Sequence, residues 1–183
     1  MTSSKRHKML APEILDEAAI EIFDIIDEEG IRAALIGGRA LQLYGSDRLT
    51  GDIDLAVTEL PENLEEEKQL SFGGFQTHAS NGTPVDIVAR SDDFDALYNK
   101  AVEGSVYLDD YEVPVATLEF LAAIKFAATR DRDKFDFDWI VTESNVDLVK
   151  ARKIIREYLG PYAAQEFDIE VAEAQWKKSQ GRR

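Results

Sequence analysis

A strand, turn, helix and strand pattern within residues 31–57 constrains the fold more than any other feature of the chain. The apolar segment IRAALI has the length of a short buried strand and runs directly into Gly37-Gly38. A short helical pattern, RALQLYG, follows and stops at Gly45, and DIDLAV is then predicted as the next strand. This unit indicates an α/β protein.

The remaining patterns complete a small mixed sheet with flanking helices. A helix with apolar residues at helical spacing precedes Gly30. After DIDLAV we expect a helix at PENLEEEKQL, strands at GFQTHAS and PVDIVAR joined by an Asn81-Gly82 turn, a helix at DDFDALYNKAVEG and a hairpin at SVYLDDYEVPV. From Thr117 onward the chain is almost entirely helical. We therefore predict an α/β (α+β) core at residues 1–116 and a C-terminal helical region at 117–183, packed as one compact unit.

Two aspartates lie one residue apart in DIDLAV. Side chains alternate across a strand, so Asp52 and Asp54 share one face while Ile53, Leu55 and Val57 point into the core. Two like charges about 5 Å apart repel by roughly 3 kcal/mol at an effective dielectric of about 20. A divalent cation bound between the two carboxylates attracts both and turns the net repulsion into attraction. Mg²⁺ prefers oxygen ligands and bridges carboxylates to substrate phosphates. The pair therefore predicts a Mg²⁺ site.

Asp86, in the predicted strand PVDIVAR, is a candidate third carboxylate. Val85, Ile87 and Ala89 alternate toward the core, which leaves Asp86 on the opposite face. If this strand lies beside DIDLAV, the three carboxylates can hold two metal ions and Asp86 can accept a proton from an attacking hydroxyl. The alternative is that Asp86 caps a strand end or faces water, and the spacing alone leaves both open.

Gly37-Gly38 closes one predicted strand and opens a helix. Glycines let the backbone approach a phosphate, and the free N–H groups of a helix N-terminus bind anions, although tight turns also use this dipeptide constantly. Thirteen residues separate Gly38 from Asp52, enough for a helix and a return into the adjacent strand. Arg39 is a candidate phosphate contact or a surface residue. The dinucleotide-binding and P-loop motifs are both absent.

Composition excludes several classes of site. The 183-residue chain has no cysteine and two histidines, which excludes disulfides, zinc ribbons, thiol catalysis and histidine-rich metal sites. The net charge is −15 and both ends are basic, so the body is strongly acidic and repels polyanions such as nucleic acid. A cationic substrate or a basic protein partner fits this charge, as does plain solubility or a salt-adapted host. With no apolar run of roughly 20 residues and no signal-peptide segment, we expect a cytoplasmic protein without a membrane partner.

The string GGRALQLYGSDRLTGDIDL, followed later by VDIV, resembles the polymerase-beta-like nucleotidyltransferase superfamily. It is especially similar to AbiEii-type and related small nucleotidyltransferases, which carry an R-x-T-x-D-x-D string matched here by Arg48, Thr50, Asp52 and Asp54. The resemblance implies that Asp52 and Asp54 coordinate two Mg²⁺ ions and that Asp86 shares a metal and activates the acceptor. It further implies that Gly37-Gly38 hold the triphosphate of an NTP and that Arg48 and Thr50 belong to the nucleotide site.

Lys125 places a charge on the apolar stripe of the helix TLEFLAAIKFAATRD. From spacing alone it either extends its ammonium to water or lines a cavity. AbiEii-like proteins carry an active-site lysine in such a helix, followed by an Arg-Asp-x-x-Asp string that Arg132, Asp133 and Asp136 match in order. The resemblance implies that Lys125 neutralises a triphosphate and that Asp133 and Asp136 belong to the nucleotide site.

The function that these residues favour is Mg²⁺-dependent transfer of NMP from an NTP to an acceptor hydroxyl, with release of pyrophosphate. An aminoglycoside or lincosamide acceptor suits the acidic body, whereas a tRNA end or a protein hydroxyl suits the toxin relatives of the family. Two alternatives stay open: a catalytically silent interaction module with the same fold, and a nucleotide-sugar glycosyltransferase that uses Asp52-Ile53-Asp54 as its D-x-D motif.

Overall fold

The structure, a computed structural model, describes residues 10–128 and 130–181. These residues form helices and strands in the order α1 (Pro12–Glu28), β1 (Ala33–Ile36), α2 (Gly37–Leu43), β2 (Ile53–Val57), β3 (Lys68–Gln69), β4 (Phe75–His78), β5 (Pro84–Val88), α3 (Asp95–Glu103), α4 (Leu118–Ala127), α5 (Asp131–Glu143), α6 (Leu148–Tyr158) and α7 (Pro161–Ser179). The predicted α/β (α+β) class is confirmed. None of the helices in the described residues is both long enough and apolar enough to cross a membrane.

The five strands form one mixed sheet in the order β1-β2-β5-β4-β3. The central strands β2 and β5 are parallel, and the other neighbouring pairs are antiparallel. Leu35, Leu55 and Ile87, on three adjacent strands, are fully buried. Helices α1, α2 and α3 all contact β2, so the strand that begins after Asp52 lies at the centre of the core.

Helices α4 to α7 follow the sheet without a further strand in the described residues. Phe126, Phe137 and Phe167 join α4, α5 and α7 through ring contacts with centroids 5.7 to 6.0 Å apart. Such tilted and edge-on contacts are the favoured geometry of aromatic pairs. The side chain of Asp147 accepts hydrogen bonds from two backbone N–H groups at the start of α6, which fixes where that helix begins.

The predicted helix at PENLEEEKQL is wrong. The carboxylate of Glu29 instead accepts hydrogen bonds from the backbone N–H groups of Glu62 and Asn63, both at 2.8 Å. Further along, Lys68 and Gln69 form the edge strand β3 against β4. The exposed glutamates at 65–67 offer no apolar face to bury, so these tertiary hydrogen bonds outweigh the helix-forming tendency of the segment.

The predicted hairpin at SVYLDDYEVPV is reduced to one antiparallel bridge between Val106 and Val115. Asp109 has a left-handed backbone with φ of 45°, where the chain turns. Leu35 of β1 forms a parallel bridge with Val115, and its N–H donates to the carbonyl of Pro114. The segment before α4 is therefore tied to the outer edge of β1.

Candidate active site

The structure brings the three predicted carboxylates to neighbouring positions. Asp52 directly precedes β2, and Asp54 is the second residue of that strand. The parallel register of β2 and β5 places Asp86 opposite Asp54. All three are partly buried, whereas Ile53 and Leu55 on the other face of β2 are fully buried. The alternation predicted for DIDLAV therefore holds.

The proximity of these carboxylates appears in their pKa values. Burial, together with the charges of Asp52 and Asp86, raises the pKa of Asp54 to about 7, although Lys125 and Arg132 act in the opposite direction. Burial also raises the pKa of Asp86, although a hydrogen bond from Gln76 acts in the opposite direction. Negative charge at this position is therefore under-compensated by the side chains around it.

Two neutral side chains orient the outer carboxylates. The hydroxyl of Thr50 donates to Oδ1 of Asp52 at 2.7 Å, and Nε2 of Gln76 donates to Oδ1 of Asp86 at 2.7 Å. Within the described residues, no group of three or more histidine, cysteine, aspartate or glutamate side chains is arranged as a metal site. The metal roles of Asp52, Asp54 and Asp86 thus stay predictions, carried by the adjacency of the carboxylates.

The glycine pair makes room for side chains of this chain. Gly37 has a φ of +68°, and a Cβ atom built on it would lie 1.9 Å from Oδ2 of Asp54. A Cβ on Gly38 would lie 1.8 Å from Nη1 of Arg48 and 2.8 Å from Oγ1 of Thr50. Gly37 therefore lets Asp54 pack directly against the turn, and Gly38 lets Arg48 and Thr50 do so. The assignment of the pair to a phosphate stays a prediction.

Lys125 is buried and sits between two carboxylates. Its Nζ lies 2.9 Å from Oδ1 of Asp133 and 2.7 Å from Oδ2 of Asp136. Oδ1 of Asp136 lies 2.8 Å from Nε of Arg48, and Nε of Arg130 donates to Oδ2 of Asp133 at 2.6 Å. We call these five residues the buried ion-pair network. It joins the loop before β2 to α4 and α5.

The network sets the ionisation of Asp133. Burial acts to raise the pKa of this carboxyl, but hydrogen bonds from Arg130 and Lys125 outweigh burial and hold the pKa below its ordinary value. Asp133 and Asp136 are respectively fully buried and almost fully buried. Both carboxylates are therefore paired with cations, and Arg48 connects Asp136 to the glycine turn.

For Lys125, the resemblance implies neutralisation of a triphosphate. Its ammonium is held between two carboxylates, so its contact with a triphosphate stays a prediction. Arg132, in the first turn of α5, is exposed and acts to lower the pKa values of both Asp54 and Asp86. Arg132 therefore acts on two of the three predicted site carboxylates.

Arg39, a candidate phosphate contact or surface residue from the sequence, is paired with other side chains in the structure. Its Nε and Nη2 donate to the two carboxyl oxygens of Asp16 at 2.9 and 2.8 Å, and Nη1 donates to Oε1 of Gln42 at 3.0 Å. Arg39 is buried, so this bidentate pair ties α2 to α1. The geometry favours a structural role over contact with a phosphate.

Gln76 and Lys68 are neighbours of the site that sequence reasoning missed. Gln76 lies opposite Asp86 in the β4–β5 pair, and Lys68 lies opposite Gln76 in the next pair and acts to lower the pKa of Asp86. The Asn81-Gly82 turn was recognisable, but a two-residue turn there pairs residue 80 with 83 and would have placed Thr77 across from Asp86. The observed register differs by one residue and places Gln76 there instead. Lys68 was hidden by the helix predicted for its segment.

No family model matches the sequence, and no curated protein matches it either. Among solved structures, the chain is similar to the antibiotic-resistance factor ANT(2'')-Ia, with a TM-score of 0.50 and 16% identity over 80% of this chain and 92% of that chain. It is also similar to an antigenic nucleotidyltransferase-like protein from Paracoccidioides brasiliensis, with a TM-score of 0.46 and 12% identity over 90% of this chain and 95% of that chain. The likeness to ANT(2'')-Ia shows that this chain shares the fold of that protein.

Proposed function

We propose that this protein is a Mg²⁺-dependent nucleotidyltransferase of the AbiEii-like type, which moves NMP from an NTP to an acceptor hydroxyl. The observation that carries the proposal is the in-register pairing of Asp54 with Asp86 on the central parallel strands, with Asp52 at the start of one of them. Three partly buried carboxylates with too little compensating charge repel one another when no ligand is bound, and divalent cations relieve that repulsion.

The carboxylates fit Mg²⁺ by their chemistry, since they are oxygen donors on adjacent strands whose mutual repulsion a divalent cation relieves. Asp52, Asp54 and Asp86 would hold the ions, and the bound ions would supply charge neutralisation at the reacting phosphate. Hydrogen bonds from Thr50 and Gln76 each use one oxygen of their partner carboxylate and so restrict its rotation.

The side chains have separate roles in the transfer. Asp86 accepts the proton of the attacking hydroxyl, since Gln76 occupies only Oδ1 and leaves Oδ2 for this purpose. The acceptor oxygen then bonds to the α-phosphorus while the bond to the β-phosphate oxygen breaks and pyrophosphate leaves. Arg132 faces the negative charge of the triphosphate. Lys125 acts through the buried ion-pair network, which positions α5 and therefore Arg132.

The test is incubation of the protein with α-³²P-labelled NTPs, Mg²⁺ and cell extract, with pyrophosphate release measured in parallel. We expect the wild type to label an acceptor and Asp52→Asn, Asp54→Asn and Asp86→Asn to lose that labelling. Asp24→Asn, an exposed aspartate on α1, is the matched control and should behave as the wild type. Equal labelling by all the variants would refute the proposal.

A silent interaction module with the same fold is the second candidate. It is favoured by the pairing of Lys125 with two aspartates, which ties this ammonium into the protein interior. Calorimetry separates the two functions: the module predicts no heat with Mg²⁺ and any NTP, together with a stable protein partner, whereas the enzyme predicts Mg²⁺-dependent NTP binding that Asp54→Asn weakens.

A further inference from the structure

A cleft opens between α5, α7 and the loop that links α2 to β2. Its volume is about 1080 Å³, at the upper end of what small-molecule sites occupy. Arg48 and Asp136 of the buried ion-pair network form part of its wall, and Arg132 lines it as well. Arg48 of this wall packs against Gly38 together with Thr50, and the hydroxyl of Thr50 donates to Asp52 at 2.7 Å, so the cleft borders the segment that carries the first candidate catalytic carboxylate.

Most of the charges on the cleft wall are compensated, and those without an ion-pair partner among the described residues are two aspartates and Arg132. Three of the cations that line it already have carboxylate partners, in the pairs Arg48–Asp136 at 2.8 Å, Lys177–Glu173 at 2.7 Å and Lys178–Glu143 at 3.1 Å. Asp47 and Asp138 also line the cleft, and neither forms an ion pair with another of the described residues. Asp138 is partly buried, and Lys177 and Lys134 act on it only at longer range.

Aromatic side chains form the rest of the surface that a ligand would meet. Tyr44, Phe135 and Trp139 line the cleft, and Phe135 is 72% exposed. Aromatic faces attract cations and pack against the apolar faces of saturated rings. A ligand with ammonium groups on a ring scaffold would satisfy both the aromatic and the acidic parts of this wall.

We propose that this cleft is the acceptor site and that it takes an amine-bearing, polyhydroxylated small molecule. Its ammonium groups pair with Asp138 and Asp47, and its rings lie on Trp139 and Phe135. The acceptor role rests on the proposed function, because it places a hydroxyl of the ligand toward Asp86, whereas the ligand chemistry rests on the cleft alone. An RNA acceptor would bring phosphates against two aspartates that have no ion-pair partner among the described residues, in a chain of net charge −15.

The test uses the intrinsic fluorescence of Trp139. The chain has two tryptophans, and Trp176 is 55% exposed, so a Trp176→Phe background leaves Trp139 as the only reporter. The probes are kanamycin as a polyhydroxylated polyamine, raffinose as an uncharged sugar of similar size, and a short oligoribonucleotide. Each is titrated without NTP into the background protein and into versions carrying Asp138→Asn, Asp47→Asn or the control Asp24→Asn.

We expect kanamycin to change the Trp139 emission, with a Kd about tenfold higher in Asp138→Asn, as the loss of one charge-assisted hydrogen bond predicts. Asp24→Asn should not alter the Kd, and raffinose and the oligoribonucleotide should not bind. Asp47 is exposed, so Asp47→Asn gives a second measurement if Asp138→Asn unfolds. The inference would be overturned if kanamycin did not bind detectably, or if neither substitution changed its Kd. Binding of raffinose or the oligoribonucleotide with the same affinity as kanamycin would also overturn it.

The Asp52→Asn variant separates this inference from the proposed function. Kanamycin binding that persists in Asp52→Asn, in a protein whose wild type transfers no NMP, would support the ligand chemistry of the cleft and overturn only the enzymatic proposal. Transfer by the wild type to an acceptor whose KM does not change in Asp138→Asn or Asp47→Asn would support the enzyme and overturn the cleft as acceptor site.

Discussion

Removing the ammonium of Lys125 leaves two buried carboxylates facing each other. Asp133 and Asp136 lie 2.9 and 2.7 Å from Nζ, and both are buried. Breaking a buried ion pair by deleting one partner costs roughly 3–5 kcal/mol. Arg130 and Arg48 remain beside the two carboxylates, so we expect Lys125→Met to lie at the lower end, about 3 kcal/mol, which corresponds to a Tm decrease of roughly 6–12 °C for a domain of this size.

Thermal unfolding followed by circular dichroism measures this loss. Lys100→Met is the matched control, because Lys100 pairs with Glu103 on the surface and its loss should leave the Tm unchanged. The double variant Lys125→Met/Asp133→Asn removes one of the two neighbouring buried carboxylates and leaves Asp136 paired with Arg48, so it should recover part of the stability. A Tm decrease of less than about 3 °C in Lys125→Met would refute the reasoning, since it would mean that the ammonium is not needed to compensate the aspartates.

Three further predictions concern the carboxylates and the glycine turn. In EDTA, Asp54→Asn should be more stable than the wild type, because the pKa of Asp54 is raised to about 7 and its ionisation in the folded protein is therefore unfavourable. The difference in stability should grow from about pH 4 to about pH 7 and stay constant above pH 7. Equal Tm values of the two proteins across this range would contradict the prediction. Gln76→Leu should move the acidic limb of the pH profile for NMP transfer to higher pH, because the hydrogen bond from Gln76 lowers the pKa of Asp86, and an unchanged profile would show that Asp86 is not the titrating base. Gly37→Ala should cost about 1–2 kcal/mol in urea unfolding from its positive φ alone and more from the clash with Asp54, whereas Gly82→Ala, with positive φ but open space, should show only the first loss.

The central sheet was predictable because its signals are local. Alternation in DIDLAV and PVDIVAR marked which side chains face the core, and the Asn81-Gly82 turn marked the hairpin β4–β5. The adjacency of Asp54 and Asp86 required one further step, the parallel pairing of β2 with β5, which the sequence allowed without requiring. From spacing alone, Asp86 could lie beside DIDLAV or could cap a strand end or face water, and the observed pairing shows that it lies beside Asp54.

What sequence reasoning missed depends on contacts between distant segments. The carboxylate of Glu29 accepts hydrogen bonds from the backbone of residues 62–63 and so prevents a helix there. No local sequence pattern predicts this contact. The cleft combines residues from 44–48, 132–143 and 174–181, three segments that only the packing of α5 and α7 brings together. The partners of Lys125 were equally hidden, since the helical stripe showed a buried charge but not which carboxylates meet it.

The difference between the two carboxylate groups of this protein follows from where its cations are placed. Asp133 and Asp136 are more deeply buried than Asp54, yet Lys125, Arg48 and Arg130 lie within ion-pair distance of them and the pKa of Asp133 is held low. Asp54 has no such partner within the described residues, and its pKa is raised to about 7. This contrast between a compensated buried cluster and an uncompensated one is the reason that we propose the cation site at the carboxylates of β2 and β5.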